Sequence, residues 1–578
     1  RRSSDLNQIN MVTPSGTNEY HGEVFWYHRN GAFSANEWFD NARGAGASKL
    51  VQNQGGFNLG GPVVKDKLFG YGWYELFRRS ESDSANATVL TPLARQGIFS
   101  YIDSDQVLQT VDVLALVSLK LGSPVGIDPI MAALLAEVPT TFNNFDRGDS
   151  SSSQLLNTAG FGFTQSDGAT RDNWGFKIDF VPNPKHSVAF TYNWSTREDE
   201  RPDIDATFNP NPVVTSGGDV NFLSTAYRWT PAANFTNEFR FGFNLAGVLF
   251  DNSNDVSGFV LENTTFFTNP IEDFRDQGRD TDVYTAQYNG TYTRGSHTLT
   301  FGYQGQFIRT APFTGFDVPP SVEIDMSNTN PAALTSADLP GASSSERARA
   351  NDLLASLAGF MDDAFAEFNV TSQSSGFVQG AVNRRNYELN NHSLYFGDSW
   401  RMFPRFTFNY GVRWEYPGVL CESDGLHLIA DWPEFTEAAH IAFLGDPNAT
   451  FSFAGKCGSG RQFYKKDMNN WAPQIGLAWD VFGDGKTSLR AAYSIHYFND
   501  EAVKAPVNML RQSSAGLSGT AVLSDIDLPI SQGVPAFTTP AFQVPRSLMD
   551  NFLDFGGGTN RQRFRAVNPA LMTPYAQE

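Results

Sequence analysis

The sequence predicts an all-β chain that crosses a membrane as an antiparallel β-barrel, and three observations lead there. The first is the stretch Phe406 to Tyr416, FTFNYGVRWEY. Phe406, Phe408, Tyr410, Val412, Trp414 and Tyr416 share one face of an extended strand, while Thr407, Asn409, Gly411, Arg413 and Glu415 share the other. An aromatic face opposite an Arg–Glu pair needs an apolar medium outside and water inside, so the first set is expected to face lipid. The second observation is that this alternation recurs along the chain. The third is that tight turns and long polar inserts alternate between the strands, which sorts all short connections to one end.

In chain order, the opening Arg1-Arg2-Ser3-Ser4 has no apolar stretch behind it of the kind a signal peptide carries, so the sequence reads as a mature or partial chain. Residues 5–21 read as a short strand and a Pro-Ser-Gly turn leading into a first barrel strand at 22–29. Strands follow at 53–62 and 67–77. In the latter the apolar set Phe69, Tyr71, Trp73 and Phe77 includes Glu75, a carboxylate tolerable on a lipid face only near an interface. Residues 105–138 carry a helical spacing broken at Gly122-Ser123-Pro124.

Alternation returns at Trp174–Phe180, Val188–Trp194, 220–230, Phe239–Leu245, Tyr284–Tyr292 and Leu299–Phe307. A second helical pattern covers Arg347 to Phe368. Membrane-surface helices and ligand lids are open readings for both patterns, and packing of each against its own loop is the expectation. Residues 387–401 show no clean parity, so a bulge is expected there or at 69–77. After 406–416 come strands at Trp471–Val481 and Leu489–Tyr497, which makes about thirteen segments, each close to the roughly 9 to 11 residues of a tilted membrane strand.

The tight connections are Val64–Lys67, Pro182–Lys185, Thr230–Ala233, Arg294–Ser296, Phe403–Arg405 and Gly483–Lys486, all rich in turn formers. The inserts between them run from about twenty to about ninety residues, far above ordinary loop length. By parity, Lys177, Asp179, Arg240, Arg413, Glu415 and Arg490 are expected to face the lumen, where hydration and pairing are their simplest roles.

Composition agrees. Aromatics reach 14%, with 49 Phe against 9 Met, which suits strands and interfacial girdles. The mean hydropathy of −0.33 is compatible with a barrel, because only alternate residues meet lipid, and no apolar run is long enough for a transmembrane helix. A net charge of −20, gathered mainly in the inserts, argues against nucleic acid as a partner. Asp251-Asn252-Ser253-Asn254-Asp255 is the best cation-binding fragment but lacks the terminal Glu of a calcium loop. Cys421 and Cys457 lie in one insert, and their pairing in an oxidising compartment is expected. No cluster of Cys and His suggests a metal or cofactor site, and the eight His are read as surface or girdle residues.

Ile9 to Gly22, INMVTPSGTNEYHG, resembles the junction between plug and barrel in TonB-dependent outer-membrane receptors, in particular the Oar-like branch. Asn53–Asp66 (NQGGFNLGGPVVKD), Asn391–Arg413 and Asp467–Tyr493 match that branch in order, so the resemblance spreads along nearly the whole chain. It implies that residues 1–20 are the C-terminal end of a plug domain and 21–578 the N-terminal portion of a barrel. That barrel has about 22 strands in the family, so further strands would lie in sequence not present. It also implies an upstream box gripped by the TonB complex and residence in the outer membrane of a diderm bacterium, with the long loops extracellular.

Three functions are weighed. Energised import of a scarce ligand, a siderophore, oligosaccharide or peptide, follows from the resemblance, with an extracellular lipoprotein or protein partner left open. A structural or adhesive surface protein is motivated by the size of the inserts. An enzyme has little support, since no nucleophile elbow, HExxH or phosphate loop occurs.

Overall fold

The computed structural model describes residues 12–35, 49–254, 258–264, 266–315, 318–327, 329–431, 445–497, 516–547 and 572–577, with positions 38, 442, 549, 550 and 555. Its main body is a single antiparallel meander in which each strand pairs with the next in sequence. The strands are β1 (His21–Asn30), β2 (Leu50–Val64), β3 (Leu68–Leu90), β4 (Thr158–Asn183), β5 (His186–Glu200), β6 (Val214–Ala232) and β7 (Phe235–Asn252). They continue as β8 (Gln277–Arg294), β9 (His297–Thr314), β10 (Tyr387–Phe403), β11 (Phe406–Tyr416), β12 (Asn470–Asp480), β13 (Ser488–Tyr497) and the short β14 (Tyr575–Gln577).

Register carries one aromatic face across the sheet. Trp174 lies beside Trp194 and Ile178 beside Phe190, Phe239 sits between Tyr227 and Tyr288, and Val412 sits between Phe396 and Pro473. Rings meet across strands, as with Phe239 and Tyr288 at 4.9 Å and Phe176 and Phe190 at 5.6 Å, pairs worth roughly 0.2–1 kcal/mol each. Tyrosine hydroxyls on this face find neighbours instead of standing bare: Tyr192 donates to Asn221 and Tyr288 to Asn237, each at 2.8 Å. Asp398 also lies on this face and accepts from Tyr410 at 2.9 Å, with His297 at 2.7 Å.

Three sequence readings need correction. In β3 the register sets Leu68, Gly70, Gly72 and Tyr74 beside the aromatic face of β4, so Phe69, Tyr71, Trp73, Glu75 and Phe77 point to the polar face. The aromatic set misled because glycines occupy the outer positions there. Pairing with β4 runs unbroken through 69–77, and that of β9 with Tyr387–Trp400 is also regular. Parity at β10 looked unclean because Tyr395 points inward and donates to Asn289, whereas Asp398 points outward. Strand length was also underestimated, since β3 has 23 residues and β4 has 26.

The overrunning ends of these strands enter a second body built from the inserts. Helix α1 (Val113–Leu121) and helix α2 (Pro129–Glu137) come from the insert after β3, and helix α3 (Ser344–Ala358) from the insert after β9. Each helix packs on its own loop, as expected, with Phe99 and Tyr101 beside α1 and α2 and Leu334 and Leu339 beside α3 in the core, but not on that loop alone. Val113, Val117 and Met131 share a core with Leu353, Leu354 and Leu357, joined by Val322 and Ile324 from the same insert as α3 and by Ile530 from the insert after β13. A six-stranded sheet centred on Phe360–Val370 likewise gathers segments from three inserts. Asp128 ties them further, since its amide donates to the Leu357 carbonyl at 2.9 Å and its carboxylate accepts from the amides of Ile130 and Ser531. The inserts are therefore one interlocked cap.

Helix α3 opens on a capping box of Ser343 and Glu346 and stops at Gly359, whose φ of 70° is left-handed, so Phe360 to Phe368 form a strand and not more helix. His427, read as a surface or girdle residue, is instead enclosed in the cap against Phe463, and burial followed by the nearby Arg385 pushes its imidazole down to about 3.

The cap holds carboxylates under strain. Asp352 is pushed up to about 6 by burial and then by Asp325, against Arg349, while Asp362 reaches about 6 through burial and its acidic neighbours Asp363 and Asp325. A carboxyl raised in the folded state favours the neutral form, so its stabilising contribution is complete below about pH 4 and is lost as pH rises through 6. The cap is expected to melt at a lower temperature at pH 8 than at pH 5, and Asp352→Asn should narrow that gap. Thermal melting read by proteolysis of the inserts checks this, and a melting temperature that rises from pH 5 to 8 would contradict it.

Candidate ligand cleft

The inner face of β3, β4 and β5 continues past the aromatic band with the same parity. On it the register places Arg79, Asp83, Asp167, Arg171, Arg197 and Asp199 together at the insert end of the sheet. They line a cleft of about 690 Å³, roofed by 201–207, Arg147 and Thr268. Thr268 fastens this roof to the tip of β3 through two hydrogen bonds with Thr88, at 3.0 and 2.9 Å.

Charges inside the cleft are largely paired. Arg79 meets Asp167 at 2.7 Å and Glu81 at 3.4 Å. Arg201 grips Asp203 with both ends of its guanidinium and holds that carboxyl below its usual range. Asp205 anchors the roof loop by accepting from Thr207 and from the Val213 amide. Arg171 and Arg197 stand directly opposite each other across β4 and β5 and share one counter-charge, Asp199, with Arg171 at 3.7 Å and Arg197 in contact. Glu272, in the insert behind the roof, is buried and pushed up to about 7, first by burial, with Asp273 and Asp205 adding to it.

The six residues assigned to the lumen from sequence all lie on this inner face, but apart from the cleft. Lys177 donates to the Thr13 carbonyl at 3.0 Å and the Ser15 hydroxyl at 2.8 Å, and stands 3.9 Å from Asp179. Arg240 pairs with Glu238 at 2.6 Å, and Arg490 reaches the Ser488 hydroxyl at 3.3 Å. Arg413 meets Glu415 at 2.5 Å and Ser393 at 2.6 Å, beside a smaller cleft of 190 Å³ that also borders Gln304 and Asn391. Phe406, Phe408, Tyr410, Val412, Trp414 and Tyr416 all lie on the aromatic face.

Cys421 and Cys457 form a disulfide with Cα atoms 5.1 Å apart. In the acidic fragment 251–255, Asp255 lies outside the described residues, and Asn252 serves to bond the Phe274 carbonyl at 3.0 Å. No grouping of three metal-ligating side chains occurs among the described residues. Sequence reasoning missed Arg171 and Arg197, although they continue the parity of Lys177 and Thr191. Their signal was two arginines at matching depth on adjacent strands, and it was masked by the acidic runs around them.

A long antiparallel meander, aromatic on one face and charged on the other, with tight turns at one end and a folded cap at the other, defines a membrane-spanning β-barrel chain. Residues 12–578 match the family model described as outer membrane beta barrel domain, and the chain belongs to that family. Its place is the outer membrane, and the cap is the extracellular end. Among solved structures it is similar to the outer membrane transporter YddB from Escherichia coli, at 10% identity and a TM-score of 0.42, covering 88% of this chain and 46% of that one. It is also similar to the siderophore receptor PirA from Acinetobacter baumannii, at 10% identity and 0.38, covering 89% and 48%. A mutant of the ferric enterobactin receptor PfeA from Pseudomonas aeruginosa matches at 11% and 0.37, covering 89% and 50%. The chain thus spans about half the length of these structures. No curated protein sequence matches it.

Proposed function

We propose that the chain is the cap-bearing portion of an outer-membrane receptor of the Oar-like branch, which imports a scarce ligand through a plugged barrel with energy delivered by TonB. The observation that carries this reading is the charged 690 Å³ cleft on the inner face directly beneath the cap, a volume within the roughly 300–1,000 Å³ usual for ligand pockets. Residues 12–20 would be the end of the plug, and the bonds from Lys177 to Thr13 and Ser15 would hold it against the wall.

Uptake of a bound ligand by cells producing the whole protein should stop when TonB is deleted or the proton gradient is collapsed, while surface binding persists. Uptake unaffected by both treatments would overturn the reading. A second reading, a structural or adhesive surface protein, is favoured by the shared core of the cap, which makes the inserts one platform instead of separate loops. Cell adhesion lost with the cap while no solute is taken up would select it.

A further inference from the structure

The charge arrangement of the cleft points to more than a generic receptor site. Two guanidinium groups share Asp199, so one positive charge there has no partner of its own. The shared carboxylate is 7% exposed, and its Oδ1 accepts no hydrogen bond. By contrast, the side chains of Arg171 and Arg197, which line the cleft, are 49% and 61% exposed, and although Arg171 lies over the Phe77 ring, both keep N–H groups without an acceptor among the described residues. Two arginines facing each other on one sheet face repel unless an anion lies between them. Asp199 supplies only part of that charge, and a planar carboxylate is the group the guanidinium fork fits in bidentate fashion.

At the other end of the cleft it is a carboxylate that lacks a partner. Asp83 lines the wall with no hydrogen bond or ion pair among the described residues. Asp83 sits opposite Gln165 on β4, and Arg171 lies further along the same strand. At roughly 3.3 Å per residue the two poles are about 20 Å apart. A polyanion would meet Asp83, Asp167 and Asp205 as repulsion, and a neutral sugar would leave both poles unanswered.

We propose that the cleft binds short peptides with free ends, the terminal carboxylate between Arg171 and Arg197 and the terminal ammonium at Asp83. An extended chain of about five or six residues covers the distance. This rests on the receptor reading and names the ligand class for the same site. Backbone length and the two termini select the ligand, which leaves its side chains free to vary.

The test uses the protein in detergent with a random-sequence pentapeptide library. Peptides retained after filtration are counted by mass spectrometry, in parallel with the same library N-acetylated, C-amidated, or both. The expectation is that blocking either end reduces retention by about tenfold or more. Arg197→Gln should remove the preference for a free carboxylate and Asp83→Asn the preference for a free amine. Both side chains are exposed, and the melting temperature of each variant, measured alongside, confirms that the preference is read on folded protein. Equal retention of free and blocked libraries would overturn the peptide assignment. So would binding of maltohexaose or ferric enterobactin in place of any peptide, an outcome that leaves the receptor reading standing. Failure of all three ligand classes to bind, together with unchanged solute uptake on TonB deletion, would overturn both.

Discussion

Leu354→Ala is expected to destabilise the cap by about 2–5 kcal/mol and to expose a part of the chain far from the substitution. Leu354 lies on α3 with no solvent exposure, and its core partners include Val113, Val117 and Met131 from the insert after β3. Loss of its side chain leaves a cavity against three inserts at once, and those neighbours collapse only as far as their strand anchors allow. The diagnostic is trypsin cleavage after Arg95. That guanidinium donates to the carbonyls of Leu135, Val138 and Pro139, and cleavage there requires the first insert to open. Cleavage at Arg95 in the variant, with the barrel still resisting unfolding in detergent, is the expected result. Cleavage confined to α3 would show that the inserts are independent, and the idea of a single cap would fall.

The same distinction separates what the sequence disclosed from what it hid. Strands β4 to β9 were readable because each alternates lipid-type and water-type residues within one segment, and the turn residues between them are local signals. Glycine removed the signal at β3, where Gly70 and Gly72 hold the outer positions and the aromatic residues point inward. The cap was out of reach for a different reason. Its core joins Val117 to Leu353 and Ile530, and no local period reports which remote insert will cover an apolar helix face. The cleft lies between these cases. Arg171 and Arg197 were assignable to the inner face by counting, but their convergence on Asp199 depends on the relative register of β4 and β5, which only the paired strands define.

Register also makes the assignment of the two faces testable, because substitutions on opposite faces of one strand should differ sharply. Val412 lies on the aromatic face of β11 between Phe396 and Pro473, and Asn409 lies on the opposite face between Ser399 and Gly476. A guanidinium at Val412 has hydrocarbon around it, and the carboxylate nearest to it on its own face, Asp398, is already engaged by Tyr410 and His297. Val412→Arg is expected to cost about 2–4 kcal/mol if the position is near the bilayer centre, whereas Asn409→Arg should cost under about 1 kcal/mol. Urea titration of the protein refolded into lipid vesicles, with heat-modified gel mobility as a second readout of barrel formation, separates the two. The comparison controls for strand propensity, since both variants place the same residue three positions apart in one strand. If Val412→Arg proves as mild as Asn409→Arg, the aromatic face does not meet lipid at that depth, and the orientation assigned to β10, β11 and β12 must be reversed.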